Sequence, residues 1–437
     1  MSLNKKSLTQ KTIDILSNLD MPPVPPNENS FFQERAVYRD EIGIGMRGKV
    51  VDIFDEVIEL ISKEADYEAV SLAKIEDEYY QLLINLLKQY GRSPTNGQAK
   101  YELDSCLKRL SESVEERRVL IPIESFRLKD IQELTIGKVR FIEFGKIQEQ
   151  LKSDFYKLVD NNTFYTLEQK PLIKDNFEAR YLKNFLDKVT ADITVRAEKG
   201  ESYNKALYEL ENAINLLRCY TQLIFSSSSK VKIGIAGTII KRTHISSLSI
   251  KTGGEFSAKG SLAGSLEPYE LNPTLLKHLK DKCYLDQFGD ILSKDKSLRT
   301  ELENRIVTAI RWIGSGINEE VDCDKFLKLA IALECLLLRR DEEEGKGSPI
   351  AERCAFLLTD DHKKRLDLDG DVKKLYGKRS DIAHEGETEI EKGQLAYMQR
   401  IVISCLLKIC PKTSEWKNMQ DLVDWAKEQR YGPKTKD

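Results

Sequence analysis

Apolar side chains recur at spacings of three and four through VVDIFDEVIELI (50–61) and IEDEYYQLLINLLKQY (75–90), a period that predicts helices with one buried face. SPTNGQ (93–98) interrupts this pattern as a turn, and the helical texture runs to about Glu116. From Arg118 the pattern changes. RVLIPIESFRLKDIQELTIGKVRFIEF (118–144) is rich in β-branched and aromatic residues that alternate with polar ones, which predicts two or three strands. ADITVRAE (191–198), KVKIGIAGTII (230–240) and HISSLSIKT (244–252) extend the sheet, with the long amphipathic helix ESYNKALYELENAINLLRCYTQLIF (201–225) between them.

A second helical texture begins near Ser297. SLRTELENRIVTAIRWIG, DKFLKLAIALECLLLRR, SPIAERCAFLL, DGDVKKLYGKRSDIAH and EKGQLAYMQRIVISCLLKIC are separated by the polar breaks SGINEEVDC, DEEEGKGS and EGET. Short breaks between amphipathic helices predict antiparallel neighbours around one core. The expected fold class is α+β and predominantly helical, with a C-terminal bundle. The expected divisions are an N-terminal helix and Pro-rich linker (1–33, with MPPVPPN the linker), a helical subdomain (34–117), an α+β sensor or regulatory domain (118–296) and the bundle (297–437).

Composition excludes several classes of function. The 437 residues carry 68 Lys and Arg against 71 Asp and Glu, so no global field draws the chain to nucleic acid or anionic lipid. Any RNA contact must be local. The apolar runs IALECLLL and IVISCLLKIC are too short to cross a bilayer, and the first thirty residues lack the apolar core of a signal peptide, so the expected location is cytoplasmic, without membrane contact. The eight cysteines are scattered singly with no CxxC and no metal spacing with His, which predicts reduced thiols in apolar surroundings.

The glycine-rich stretch GGEFSAKGSLAGS (253–265) does not open a helix and has no GxxxxGK followed by Ser or Thr. GIAGT (234–238) lacks the third glycine of a dinucleotide fingerprint. Both predict hairpin or loop glycines, which weakens a nucleotide-hydrolase reading.

The chain has four histidines, and one of them closes KRSDIAHEG (378–386). Arg379 and His384 are five apart, about 140° from each other on an undistorted helix. Gly386 is a candidate left-handed cap, which would put His384 in a loosened last turn that a long arginine side chain can reach around. A helix C-terminus favours the protonated imidazole and a neighbouring arginine disfavours it, so the group would titrate near neutrality. That suits general acid or base work at a phosphodiester, with the arginine facing the developing oxyanion. An Arg and a His at a helix end are also common as simple caps. His244 is expected in a strand, His278 on a helix and His362 in a turn, all non-catalytic, and Trp312 as a core aromatic.

The order of AIRWIG (309–314), FLKLAIALECLL (326–337), IAERCAFLL (350–358) and LYGKRSDIAHEG (375–386) resembles the Apea-like branch of the HEPN superfamily, over about residues 297–412. The resemblance implies an antiparallel HEPN bundle whose R-x4-6-H ribonuclease motif falls on Arg379 and His384, with Ser380 and Asp381 as supporting polar residues. It implies a metal-independent endoribonuclease with no cofactor that acts as a homodimer through the bundle. Two protomers would pool two arginines and two histidines, leaving a 2′,3′-cyclic phosphate and a 5′-hydroxyl on RNA. Its expected setting is bacterial antiviral defence or toxin-like cleavage, with a phage or host protein as trigger. Glu334, Arg311 and Arg353 also match the pattern, and their apolar neighbours predict a structural or orienting role in which a carboxylate meets an arginine from a neighbouring helix. KKLYGKR (373–379) and HKKR (362–365) suggest either a local basic rim for RNA or a solvated mixed-charge face. The rival expectation is a non-catalytic HEPN-containing module, whose N-terminal region recognises a protein or nucleic acid.

Overall fold

The computed structural model describes residues 4–19, 34–39, 42–64, 66–163, 165–224, 232–236, 245–250, 256–261, 268–339, 341–342, 345–385 and 389–432. Among these the fold is α+β and predominantly helical. The chain forms two compact units, Met1–Val119 with Thr194–Leu207, and Leu120–Ile193 with Tyr208–Asp437. The linker MPPVPPN, His244 and Gly386 lie outside the described residues.

The first unit holds α1 (Lys5–Ser17), a hairpin of β1 (Glu34–Arg39) and β2 (Ile42–Arg47), α2 (Lys49–Ser62), α3 (Leu72–Tyr90) and α4 (Asn96–Glu112). The apolar stripes predicted for α2 and α3 are its core: Phe54, Val57 and Ile61 meet Tyr79, Leu83 and Leu86 with Leu8 and Ile15 of α1. The buried Tyr79 hydroxyl is satisfied by Thr12 at 2.8 Å. Thr95 and Gln98 form a capping box, so SPT is the turn and NGQ already belongs to α4. The hairpin was not anticipated.

In the second unit, the segment read as two or three strands makes four: β3 (Glu115–Glu124, which starts in the first unit), β4 (Phe126–Leu128), β5 (Glu133–Ile136) and β6 (Val139–Glu143). Helices α5 (Gln148–Asn161) and α6 (Gln169–Asn176) precede β7 (Val189–Ala197), and α7 (Ser202–Ile224) precedes β8 (Gly234–Ile235). The sheet runs β5-β6-β7-β3-β8. Residues Val189–Ile193 of β7 are buried on both faces, as a central strand requires. Gly137, at φ +59°, turns β5 into β6, and a side chain there would strike Leu292. A separate hairpin pairs β9 (Ile245–Ile250) with β10 (Phe256–Ser261), so Gly260 of the glycine-rich stretch is a strand residue opposite Ser246. β11 (Tyr269–Leu271) pairs with β4.

The same unit continues as α8 (Pro273–Cys283), α9 (Leu285–Ser293), α10 (Glu301–Asn318), α11 (Asp322–Leu337), α12 (Gly347–Leu358), α13 (His362–Ser380), α14 (Lys392–Ile409) and α15 (Met419–Tyr431). Helices α10, α11, α12 and α14 share a core of Ile306, Ile310, Leu329, Leu333, Ile350 and Val402. Thr300 and Glu303 cap α10 reciprocally. Six cysteines are buried and two half-buried, all free thiols, with Cys354 and Cys405 touching at 3.3 Å inside the core. Two expectations need correction. His362 is the first residue of α13, capped by Asp361, rather than part of a turn. Trp312 is half-buried and lines a cleft rather than the core, because its position on α10 looks toward α7.

Helices α7 and α10 meet at Gly314, where an added Cβ would lie 2.4 Å from Cβ of Asn215. Gly314→Ala is therefore expected to lower stability by about 1–3 kcal/mol in urea unfolding. An unchanged midpoint and slope would contradict this close approach.

Candidate functional site

Helix α13 buries Val372 and Leu375, and its inward face continues through Tyr376 and Arg379 to Ile382. After Ser380 the winding loosens into a π-helical turn, Asp381–Glu385. A turn closed by i→i+5 hydrogen bonds stacks positions five apart more nearly over one another than an α-helix does. This widening reduces the offset of about 140° that an ideal helix would impose between Arg379 and His384. Buried Ile382, 8% exposed, anchors the turn.

Arg379 is only partly exposed, and its Nη2 lies 3.2 Å from Oε1 of Glu334 on α11. The Tyr376 hydroxyl donates to the same Oε1 at 2.9 Å, and the guanidinium lies 5.8 Å from the Tyr376 ring centre. Burial, together with the neighbouring Glu334 carboxylate, pushes the Tyr376 phenol well up, so it stays a proton donor at any physiological pH. Gly347 at the start of α12 makes room for this ring, since a Cβ there would sit 3.2 Å from it. Nε of Arg379 is buried with no partner among the described residues. The arginine is thus aimed by one carboxylate and one ring while its hydrogen-bonding capacity is unfilled.

His384 is exposed and makes no side-chain hydrogen bond or ion pair to another described residue. Ser380 is exposed and Asp381 half-buried, and neither side chain bonds to Arg379. Lys373 and Lys374 on the adjacent surface pair with Asp369 at 2.7 Å and Asp371 at 3.9 Å, so this part of the surface is a mixed-charge face.

Glu334 meets an arginine from a neighbouring helix, and that arginine is Arg379 of α13 rather than Arg311 or Arg353. Arginines of α10 and α12 also reach this turn of α11, but their donors go to other acceptors. Arg353, 6% exposed, binds Glu342 at 2.7 Å and also donates to the carbonyl of Leu337. Arg305 donates to the carbonyls of Cys335 and Leu338 at 3.1 and 2.6 Å. Two arginines therefore satisfy the open carbonyls at the end of α11, the turn that carries Glu334. Arg311 lies apart, over the Tyr208 ring at 5.1 Å. Tyr376, Gly347 and Arg305 were not singled out in the sequence. A tyrosine three residues before the arginine was the available signal for Tyr376.

Among the described residues no group of three or more His, Cys, Asp or Glu side chains is placed to hold a metal, and no helix is long and apolar enough to cross a membrane. Comparison with protein-family models, with curated proteins and with solved structures finds no match to this chain.

Burial alone would raise the Glu342 carboxyl, but hydrogen bonds from Arg353 and from the Arg339 backbone outweigh it and hold the group below its usual 4.5. The stability it contributes is present above that ordinary value and disappears as pH falls through the lowered one. Arg353→Met is expected to cost about 3 kcal/mol at neutral pH and to flatten the acid limb of the stability profile. A profile that keeps its acid limb in the variant would contradict the pairing.

Proposed function

We propose that this chain is a metal-independent endoribonuclease of the HEPN type, built on α10–α14, that cuts RNA as a homodimer. The observation that carries the reading is Arg379, a partly exposed guanidinium held by Glu334 and beside Tyr376, one widened turn before an exposed His384. A guanidinium fixed in direction but not saturated suits a phosphate that arrives later. An exposed imidazole is free to take the proton of a ribose 2′-hydroxyl or to protonate the departing 5′ oxygen.

The exposure of His384 also supports the dimer. One copy leaves the imidazole in water, and a second copy across a twofold axis would close the cleft and supply the matching arginine and histidine. DNA, without the 2′-hydroxyl, would not be cut. The resemblance suggests defence or toxin-like RNA cleavage, triggered by a phage or host protein and restrained by the region before residue 297.

A second reading, a non-catalytic bundle used for binding or assembly, is favoured by the pairing of Lys373 and Lys374 with aspartates. That pairing weakens the case for a basic RNA track beside Arg379. Activity separates the two. Purified protein in EDTA is expected to cleave assorted RNAs, with Arg379→Ala and His384→Ala each losing about 10²–10⁴-fold. Tyr376→Phe should lose less, about tenfold, because Glu334 still holds the arginine. Chelator-sensitive cleavage, or equal cleavage by the variants at equal thermal stability, would contradict the proposal.

A further inference from the structure

A cleft of about 530 Å³ lies between α7 and α10, away from the Arg379 site, and it is within the size range of small-ligand sites. Its floor exists because Gly314 lets α10 press against Asn215 of α7. Side chains spaced by three or four residues point into it from both helices: Asn215 and Arg218 from α7, and Thr308, Arg311, Trp312 and Ser315 from α10.

The two arginines differ in how they are held. Arg218 donates from Nε to the carbonyl of Ile233 at 3.0 Å and from Nη1 to Oδ1 of Asn215 at 2.8 Å, so its plane is fixed, while Nη2 has no hydrogen-bond partner among the described residues. Glu211, on the cleft wall, acts on it through its charge but forms no salt bridge with it. Burial outweighs Glu211 and brings the Arg218 guanidinium down to about 10, so it remains a cation at neutral pH without a bonded anion among the described residues. Arg311 is exposed, rests on the Tyr208 ring and has no ion pair among the described residues. Two cations against one carboxylate, beside an indole and two hydroxyls, favour a ligand with both negative charge and a flat ring.

We propose that the α7–α10 cleft binds a mononucleotide, with its phosphates on Arg218 and Arg311 and its base against Trp312. The hydroxyls of Thr308 and Ser315 and the free amide hydrogens of Asn215 then supply the polar contacts to the sugar and base edge. This site does not use Arg379 or His384, so it stands or falls separately from ribonuclease activity.

Trp312 is one of three tryptophans, the others being Trp416 and Trp425, so it reports on the cleft directly. Full-length protein would be titrated with AMP, ATP, GTP, CTP and UTP, with adenosine and inorganic phosphate as partial ligands, followed by tryptophan fluorescence and by calorimetry. At least one nucleotide is expected to quench saturably, Trp312→Phe to abolish the quench, and adenosine and phosphate each to bind at least about tenfold more weakly. Arg218→Gln alters a half-buried group and tests folding as well as binding. Arg311→Gln changes a surface group, and is expected to weaken binding about tenfold with an unchanged melting temperature. Arg379→Ala should bind like the wild type. No saturable signal with any nucleotide at millimolar concentration, equal binding of phosphate alone, wild-type affinity in Arg311→Gln, or binding only of longer RNA would each overturn the proposal.

Discussion

The contact between Glu334 and Arg379 joins two helices that approach each other from distant parts of the chain, and the geometry of the candidate site follows from it. A partly buried carboxylate without a cation is costly, and so is a partly buried guanidinium without an anion. Each removes the other's cost only if α11 and α13 keep one register. The Tyr376 hydroxyl, kept protonated by burial and by Glu334 itself, adds a second constraint on the same oxygen. Arg305 and Arg353 then hold the last carbonyls of α11, so the carboxylate cannot drift with a fraying helix end.

The widened turn after Ser380 complements this anchoring. Val372 and Leu375 are buried before the turn and Ile382 within it, yet the backbone from Asp381 to Glu385 winds more loosely. One side chain of the pair is therefore rigid and internally directed, and the other is exposed. Under the proposed reading, that asymmetry suits a composite site between two copies, in which each would present an accessible imidazole to the shared phosphate. A site completed within one protomer would instead be expected to bury the histidine.

Much of this was legible in the chain. Apolar spacing located α10 through α14, whereas Arg379 and His384 were singled out by the resemblance, since their five-residue interval is shared by ordinary helix caps. The partnerships were not legible. Glu334 and Tyr376 are 42 residues apart and Glu334 could have met any of three arginines, because periodicity assigns faces to helices without saying which helices adjoin. The π turn has no marker in SDIAHE. The β1–β2 hairpin was passed over because ERAVYR and IGIGMR are short and glycine interrupts the second. The α7–α10 cleft gathers Arg218 and Arg311 into one lining from positions nearly a hundred residues apart, and depends on a glycine whose role is to be absent from Asn215's space.

The chemistry of the cut ends tests the central claim most directly. If an imidazole activates the ribose 2′-hydroxyl while Arg379 holds the phosphate, sequencing and mass analysis of cleaved RNA will find 2′,3′-cyclic phosphate and 5′-hydroxyl ends, and a single 2′-deoxy substitution at the cut will block it. Products ending in 3′-hydroxyl and 5′-phosphate, or continued cleavage at the deoxy position, would contradict the account.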